Sequence, residues 1–413
     1  MQLDWLIEVI GNDAALRRRQ LLQPVGGKGD KIFPPTYPGE GDKAPPRHVF
    51  ERRRIVFPGE TESREVWCVL VDSVQSQANR LEESLGDAIQ EGMVIPHVVV
   101  DFSDSNLVGI SRITSLDAPH RIYDAILRDS QTMDGATFMN SAIGQALARA
   151  STKDATAVLE VSPNALLFGS WHSTGQGGGL GAKFARCLTS EIFAVDVPVD
   201  VLNSKSGEVS TSGRRTGSRL DPLGVLRKVE VFKGPNGWDT KAELAGAGAK
   251  QVRPSAINHG NIPPSIQALG ITCDYLEHSF VLSFAALRRL RFGGPPDKDA
   301  AGRALLAALG LLALVEQDAR GYSLRSRCEL VCDGKAPLEL IHADGSTETI
   351  DLKRDQVREL YVKAFERAES KGFKLRPKTE LKPQEKLVEI VRRSQELALS
   401  GSGGEEEGND TTS

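Results

Sequence analysis

The sequence has no excess of basic residues: 51 Lys and Arg stand against 55 Asp and Glu, giving a net charge of −4 and a pI near 6.1. A chain without a global positive field does not advertise nucleic-acid binding through bulk charge, so any such role must rest on local patches. Cysteine is scarce and odd in number, five scattered at 68, 187, 273, 328 and 332. That excludes a disulfide framework and reads as the reduced thiols of a cytosolic protein. Cys328 and Cys332 have no second ligand pair nearby, and no HExxH, His-x-His or carboxylate cluster marks a metal centre. The longest apolar run, Ala304 to Val315, is too short to span a bilayer. The opening MQLDWLIEVIGNDAA carries acids where a signal peptide needs a positive start. A cytoplasmic location is the expectation.

What is present is local. With 413 residues, 40% of them hydrophobic, the chain suffices for one large domain or two ordinary ones. Between Arg17 and Arg54 ten Lys or Arg face four acids, and between Lys205 and Arg253 ten face five. The stretch Trp67 to Leu85, WCVLVDSVQSQANRLEESL, starts as a buried strand and turns polar at Asp72. Ser73, Gln75, Ser76, Gln77, Asn79 and Arg80 then crowd the first turns of a helix. Two readings stand for these side chains: caps for the free helical N–H groups, or a ledge suited to a sugar-phosphate backbone.

Along the chain, residues 1–16 read as a short helix. Arg17 to Tyr37 lacks any helical or strand period and reads as an extended arm carrying Arg17, Arg19 and Lys28. His97 to Phe102 reads as a strand, 120–150 as helical, and Ala155 to Phe168 as a strand pair. A Gly-rich loop over 169–181 follows, then an expected helix over 182–193. Lys205 to Asp221 reads as a flexible insertion, Val229 to Phe232 and Ile271 to Phe284 as strands, and Asp297 to Glu316 as an apolar helix. Two short strands near 327–332 and 338–342 precede a helix over 353–371. A basic linker, Lys374 to Lys382, leads to an amphipathic helix over 384–399 and an acidic tail from Gly401. Elements mixed this irregularly argue an α+β fold, or a split βαβ core of ferredoxin type.

The loop FGSWHSTGQGGGLGAKFAR is the loudest motif. Gly177, Gly179 and Ala182 fit a relaxed dinucleotide fingerprint, with Asp196 as the ribose-binding acid, if a strand precedes and a helix follows. That would suit a nucleotide-dependent oxidoreductase. Alternatively, the loop lets RNA phosphates approach its backbone, with Lys183 and Arg186 behind it, or it is a structural turn. His172 in the loop and His259 in the turn NHGN are the histidines a metal-independent ribonuclease would use, or are simply satisfied loop residues. Asp101 and Asp104 flank Phe102, as a charged strand end does. Arg288, Arg289 and Arg291 offer forks for phosphate or pack their stems on the surface.

Five segments together resemble one family: LLQPVGGKGDKIFPPTY (21–37), VDSVQSQANRLE (71–82), LLFGSWHSTGQGGG (166–179), GSRLDPLG (217–224) and NHGNIPPS (258–265). They are similar, over roughly residues 15–300, to the Cas-seven backbone subunit of the type I-G (formerly I-U) CRISPR interference complex, in the RAMP superfamily. The resemblance implies an RRM-like, ferredoxin-type palm with large insertions, hand-shaped, with a projecting thumb. The corresponding division is an N-terminal helix and basic arm (1–60), a palm (61–375) with the thumb within about 200–265, a linker and helix (376–400), and a tail (401–413).

Such subunits stack along CRISPR RNA, hold its backbone and leave its bases to pair with target DNA. The partners implied are CRISPR RNA, target DNA, further copies of the chain, a fused RNA-processing and capping subunit, a large subunit and a helicase-nuclease, with no membrane. Neither a cofactor nor a catalytic residue is implied. Relatives in type III complexes cleave RNA with an acidic loop residue, and no equivalent is placed here. Carried over by motif, the implied RNA contacts are Ser73, Gln75, Ser76, Gln77, Asn79 and Arg80; Arg17, Arg19 and Lys28; Gly177, Lys183 and Arg186; Arg214, Arg215 and Arg219; and Asn258 and His259. A superfamily relative that processes RNA, using His172 or His259, is the rival expectation.

Overall fold

A computed structural model of the 413-residue chain describes residues 2–39, 46–172, 181–204 and 207–399. The fold is mixed α+β. Contacts divide the chain into two units, one of 1–102, 111–213 and 269–383, the other of 103–110, 214–268 and 384 onward.

The first unit is built on one large antiparallel sheet. Its strands are β1 (Ala15–Pro24), β2 (Phe50–Val56), β3 (Ser63–Asp72), β4 (Leu188–Val195), β5 (Tyr275–Ser283), β6 (Tyr322–Arg325), β7 (Cys328–Cys332), β8 (Leu338–Ile341) and β9 (Thr347–Ile350). They run in the order β6-β7-β1-β5-β4-β3-β2, with β8 sharing the β7 edge of β1 and β9 beyond it. Register divides the sheet's two faces. Arg18, Phe280 and Ser190 lie side by side on one face; Arg19, Ser279 and Glu191 lie on the other.

Four helices serve this sheet: α1 (Leu3–Asn12), α2 (Val74–Gln90), α3 (Pro296–Arg320) and α4 (Arg354–Ser370). α3 packs against the other three and is buried along nearly its whole length from Ala304 to Gln317. Leu, Ala and Val all round it leave no polar stripe, the pattern of a helix enclosed by protein. Gly310 brings α3 close to β4: a Cβ there would sit 3.0 Å from the Leu188 side chain. At the β6–β7 end, Leu22, Val71, Ile192 and Leu276 join Leu324, Cys328 and Leu330 in one apolar cluster. Among the described residues no helix is long and apolar enough to cross a membrane.

The structure corrects several expectations. The first part of the arm, Arg17 to Pro24, belongs to strand β1, at the centre of the sheet. Its period of two was hidden because the inward positions include Arg18 and Gln20, both buried. Arg18 pairs with Asp318 through both terminal nitrogens, its Nε left without a partner, and Gln20 bonds the backbone of Gly334 and Ala336, so burial of these polar groups is largely compensated. Residues 155–168 form short helices, Thr156–Val161 and Asn164–Leu167, rather than a strand pair. The helix expected over 182–193 is instead a short strand, Lys183–Phe184, followed by β4. Only Ala125–Arg128 and Ala142–Arg149 are α-helical in 120–150. The linker after Lys374 contains a strand, Lys378–Pro383, parallel to His97–Asp101 in a second sheet.

The second unit is largely strands. Arg215–Arg219 pairs with Ile262–Gln267, and Val231–Gly234 lies between Gly237–Asp239 and Lys250–Val252. A helix, Glu385–Leu399, holds Val108 through both atoms of the Gln395 amide, at 3.0 and 2.9 Å. The described part of the expected flexible insertion, 207–221, is mostly paired strand.

Candidate functional site

The polar run after β3 is mainly structural. Ser73 caps α2, its Oγ accepting from the Ser76 N–H at 3.2 Å. A register shift between Leu70 and Asp72 sets Asp72 opposite Ile192, on the helix-covered face, where it is fully buried. Its carboxylate accepts from Ser76 Oγ at 2.8 Å, Gln77 Nε2 at 2.6 Å, Arg80 Nε at 2.9 Å and Arg325 Nη2 at 3.2 Å. Two guanidinium groups and two neutral donors make this a neutralised, saturated anion. Ser76, Gln77 and Arg80 therefore turn inward, contrary to a backbone-binding ledge; Gln77 is wholly buried. Gln75 and Asn79 are exposed, four residues apart on one side of α2.

From Gln77 a buried polar chain crosses beneath the sheet. Gln77 Oε1 accepts from Gln317 Nε2 at 3.1 Å and faces Ser190 Oγ at 3.4 Å. Ser190 Oγ lies 2.7 Å from His278 Nε2, whose Nδ1 is 3.0 Å from the Tyr322 hydroxyl. Tyr322 donates to Asp318 at 2.8 Å, and Asp318 is gripped by both arms of Arg18. Because Tyr322 spends its proton on Asp318, its oxygen accepts from Nδ1–H, leaving Nε2 to accept from Ser190. Burial, reinforced by the nearby Arg18 charge, pushes the His278 pKa down to about 3. Sequence reasoning missed this histidine, because a lone His in an apolar strand carries no local signal.

Arg17 and Arg19 of β1 lie on the opposite face from Arg18, each paired with a carboxylate. Arg17 Nε meets Glu339 at 2.7 Å. Arg19 binds Glu277 through two bonds, at 2.8 and 2.7 Å, and its hydrogen bond to that carboxylate raises the guanidinium pKa further. Arg53 of β2 meets Glu191 of β4 on the same face at 2.8 Å. Arg17 and Arg19 keep 36% and 47% of their side chains exposed, so this face is a partly open row of arginine–carboxylate pairs. Lys28 reaches Asp333 at 2.7 Å.

The start of the Gly-rich segment, at Gly169, is anchored by buried side chains. Arg121, with a left-handed φ of 55°, binds Glu82 of α2 through two bonds of 2.7 Å and donates to the Gly169 carbonyl at 3.0 Å. Asn164 adds a bond to Glu82 at 2.8 Å. Arg186 Nε donates to the Phe168 carbonyl at 3.0 Å, a structural bond. His172 is buried and stacked on Tyr123, ring centroids 5.0 Å apart, and burial holds its pKa below the usual imidazole value. Gly181 sits so close to His172 that a Cβ would lie 2.1 Å from its carbonyl oxygen. Gly177 lies outside the described residues. A two-residue strand, Ser170–Trp171, precedes the glycines but strands rather than a helix follow them, so the strand–loop–helix context of a dinucleotide fingerprint is not met. The surface beside this loop holds Lys183 and Trp171, both exposed.

The Arg cluster divides. Arg288 donates to the carbonyls of Ile10 and Asp13, each at 2.7 Å, and Arg291 meets Asp299 at 3.0 Å. Arg289 is exposed. Asp101, at its strand end, pairs with Arg112 at 3.8 Å.

In the second unit the motif segments GSRLD and NHGN meet. Arg219 Nη2 donates to the Gly260 carbonyl at 2.9 Å, Asp221 accepts from the Gly260 N–H, and the Asp221 N–H donates to Asn261 at 2.7 Å. Asn258 closes a short 3-10 turn in the left-handed conformation, φ 60°, and His259 packs edge-on to Trp238 at 5.7 Å. Arg219, Asn258 and His259 thus shape this junction, while Arg214 and Arg215 lie at the surface. Arg227 and Arg253, which no motif singled out, line a cleft of about 110 Å³ with His259 and Asn261. Among the described residues no three His, Cys, Asp or Glu side chains gather as a metal would require.

Residues 16–199 match a family model described as CRISPR-associated protein GSU0053. No curated protein matches the chain. That stretch, which spans β1 to β4 and the Gly-rich segment, is similar to this CRISPR-associated family.

Proposed function

We propose that this chain is the non-catalytic Cas-seven-type backbone subunit of a type I-G interference complex, polymerising along CRISPR RNA and leaving its bases to pair with target DNA. The family match over 16–199 carries this reading. The connection order of the main sheet supports the RRM-like palm. Chain order β1, α2, β4, β5, α3, β7 with sheet order β7-β1-β5-β4 is a βαββαβ unit, to which the β2–β3 hairpin is added outside β4. One face of that sheet is covered by helices; the other carries Arg17, Arg19 and Arg53. Local basic patches on a mildly acidic subunit suit sequence-independent backbone binding, with sequence reading delegated to base pairing. The Arg214 to Ala268 stretch of the second unit is the proposed thumb. Further copies, the processing and large subunits and the helicase-nuclease are its proposed partners.

The test is the size-resolved mass of the protein expressed with a CRISPR RNA, and its ultraviolet absorbance ratio, before and after ribonuclease. A large particle rich in RNA that falls apart on digestion is expected. A nucleic-acid-free monomer, even with CRISPR RNA and partner subunits supplied, would overturn the reading. Cleavage of a hairpin repeat RNA by the purified chain would favour a processing endonuclease instead.

A further inference from the structure

Three side chains beside the Gly-rich loop are left unused by the fold. Trp171 keeps 49% of its surface exposed, unusual for the largest apolar side chain. The Lys183 ammonium stands over its ring at 5.1 Å from the centroid. Lys183 also lines a cleft of about 230 Å³ with Arg289, Thr152, Ala185, Ala286 and Leu290. No carboxylate lines that cleft, and neither Lys183 nor Arg289 enters an ion pair among the described residues. Arg17, Arg19, Arg53, Arg80, Arg121 and Arg291 are all held by carboxylates. Two uncompensated cations at the mouth of a cleft favour an anion, and an exposed indole favours a flat π-system. A nucleotide supplies both on one ligand.

We propose that Trp171, Lys183 and Arg289 form a one-nucleotide site for single-stranded RNA, with the base stacked on the indole and the phosphate seated between Lys183 and Arg289. This rests on the reading of the chain as an RNA-binding subunit. Lys183 belongs to both halves of the site, so base and phosphate are held by adjoining surfaces. A base inside a duplex has both faces stacked, so the indole selects an unpaired strand.

The test compares binding of a labelled oligouridylate with that of an abasic ribose-phosphate strand of equal length, by fluorescence anisotropy at several salt concentrations. The full-length chain and three variants are used: Trp171→Ala, Trp171→Phe and the double change Lys183→Gln with Arg289→Gln. Thermal melts confirm that each variant folds. Trp171→Ala is expected to weaken oligouridylate binding on the order of ten-fold and to spare the abasic strand. Trp171→Phe retains most of the affinity. The double change weakens both strands and lowers the salt slope by roughly 0.7 for each phosphate it no longer neutralises. Folded variants that bind both strands as the wild type does would overturn the site and leave the RNA-binding reading standing. Equal loss on both strands in Trp171→Ala would overturn the stacking. A wild type that binds neither strand would bring down both.

Discussion

His278 is charged when the chain is unfolded at mildly acidic pH and neutral when it is folded. Arg18, Asp318 and Tyr322 surround it, and its folded pKa is about 3 against an ordinary 6.5. The unfolded state therefore binds a proton that the folded state refuses. The neutral histidine's contribution is fully present above pH 6.5 and is lost as pH falls from 6.5 towards 3, the loss reaching about 2 kcal/mol by pH 5. Urea unfolding at pH 7 and pH 5 should show that loss in the wild type and a smaller pH effect in His278→Gln, whose side chain does not titrate. Equal pH effects in the two proteins would remove His278 from the account. The same residue shows why single side chains were hard to read. In sequence, His278 is one polar letter in YLEHSFVLS; its meaning comes from Ser190 and Tyr322, on two other strands.

At the scale of elements, legibility followed the purity of the pattern. α3 and β5 are apolar enough that sequence alone places them, and α4 and the last helix announce themselves by length and period. β1 failed because its buried face uses Arg18 and Gln20, whose partners lie some 300 residues away. The segment 182–193 failed because Leu188, Ser190 and Ile192 alternate in a strand, while Leu188 and Ile192, four apart, also share a face of a helix. In the site, the cap at Ser73 was readable because capping is local. The inward turn of Gln77 and Arg80 was not, since Asp72 becomes their acceptor only after the sheet shifts register.

One ion pair between elements has a measurable cost. Glu82 ties α2 to Arg121 beneath the Gly-rich loop, and both are nearly inaccessible. Removing either partner alone strands a buried charge and should cost about 3–5 kcal/mol, while removing both should cost clearly less than the sum. Denaturant midpoints of Glu82→Ala, Arg121→Ala and the double variant decide it; strict additivity would mean the pair is not coupled.

For the whole molecule, the proposed RNA binding is compatible with mild acidity only if its contacts are local and electrostatic. Arg214→Gln with Arg215→Gln should weaken RNA binding alike for every sequence tested and flatten its salt dependence. Arg219 is a poorer probe, since it also holds the Gly260 carbonyl. A loss confined to one RNA sequence would contradict backbone recognition.

The place of β1 in the sheet has a consequence for how the protein is made. A ribosome delivers β1 well before its neighbours, which are β5, beginning at residue 275, and the β7 and β8 strands from residue 328 onward. Until β5 emerges this strand offers two bare edges, and burial of Arg18 must wait for Asp318. A fragment ending at residue 199 lacks the strand that separates β1 from β4, and should show no cooperative thermal melt by circular dichroism. Strand β1 therefore depends on partners far downstream of it, and its pairing is reserved for chains that have emerged past those partners.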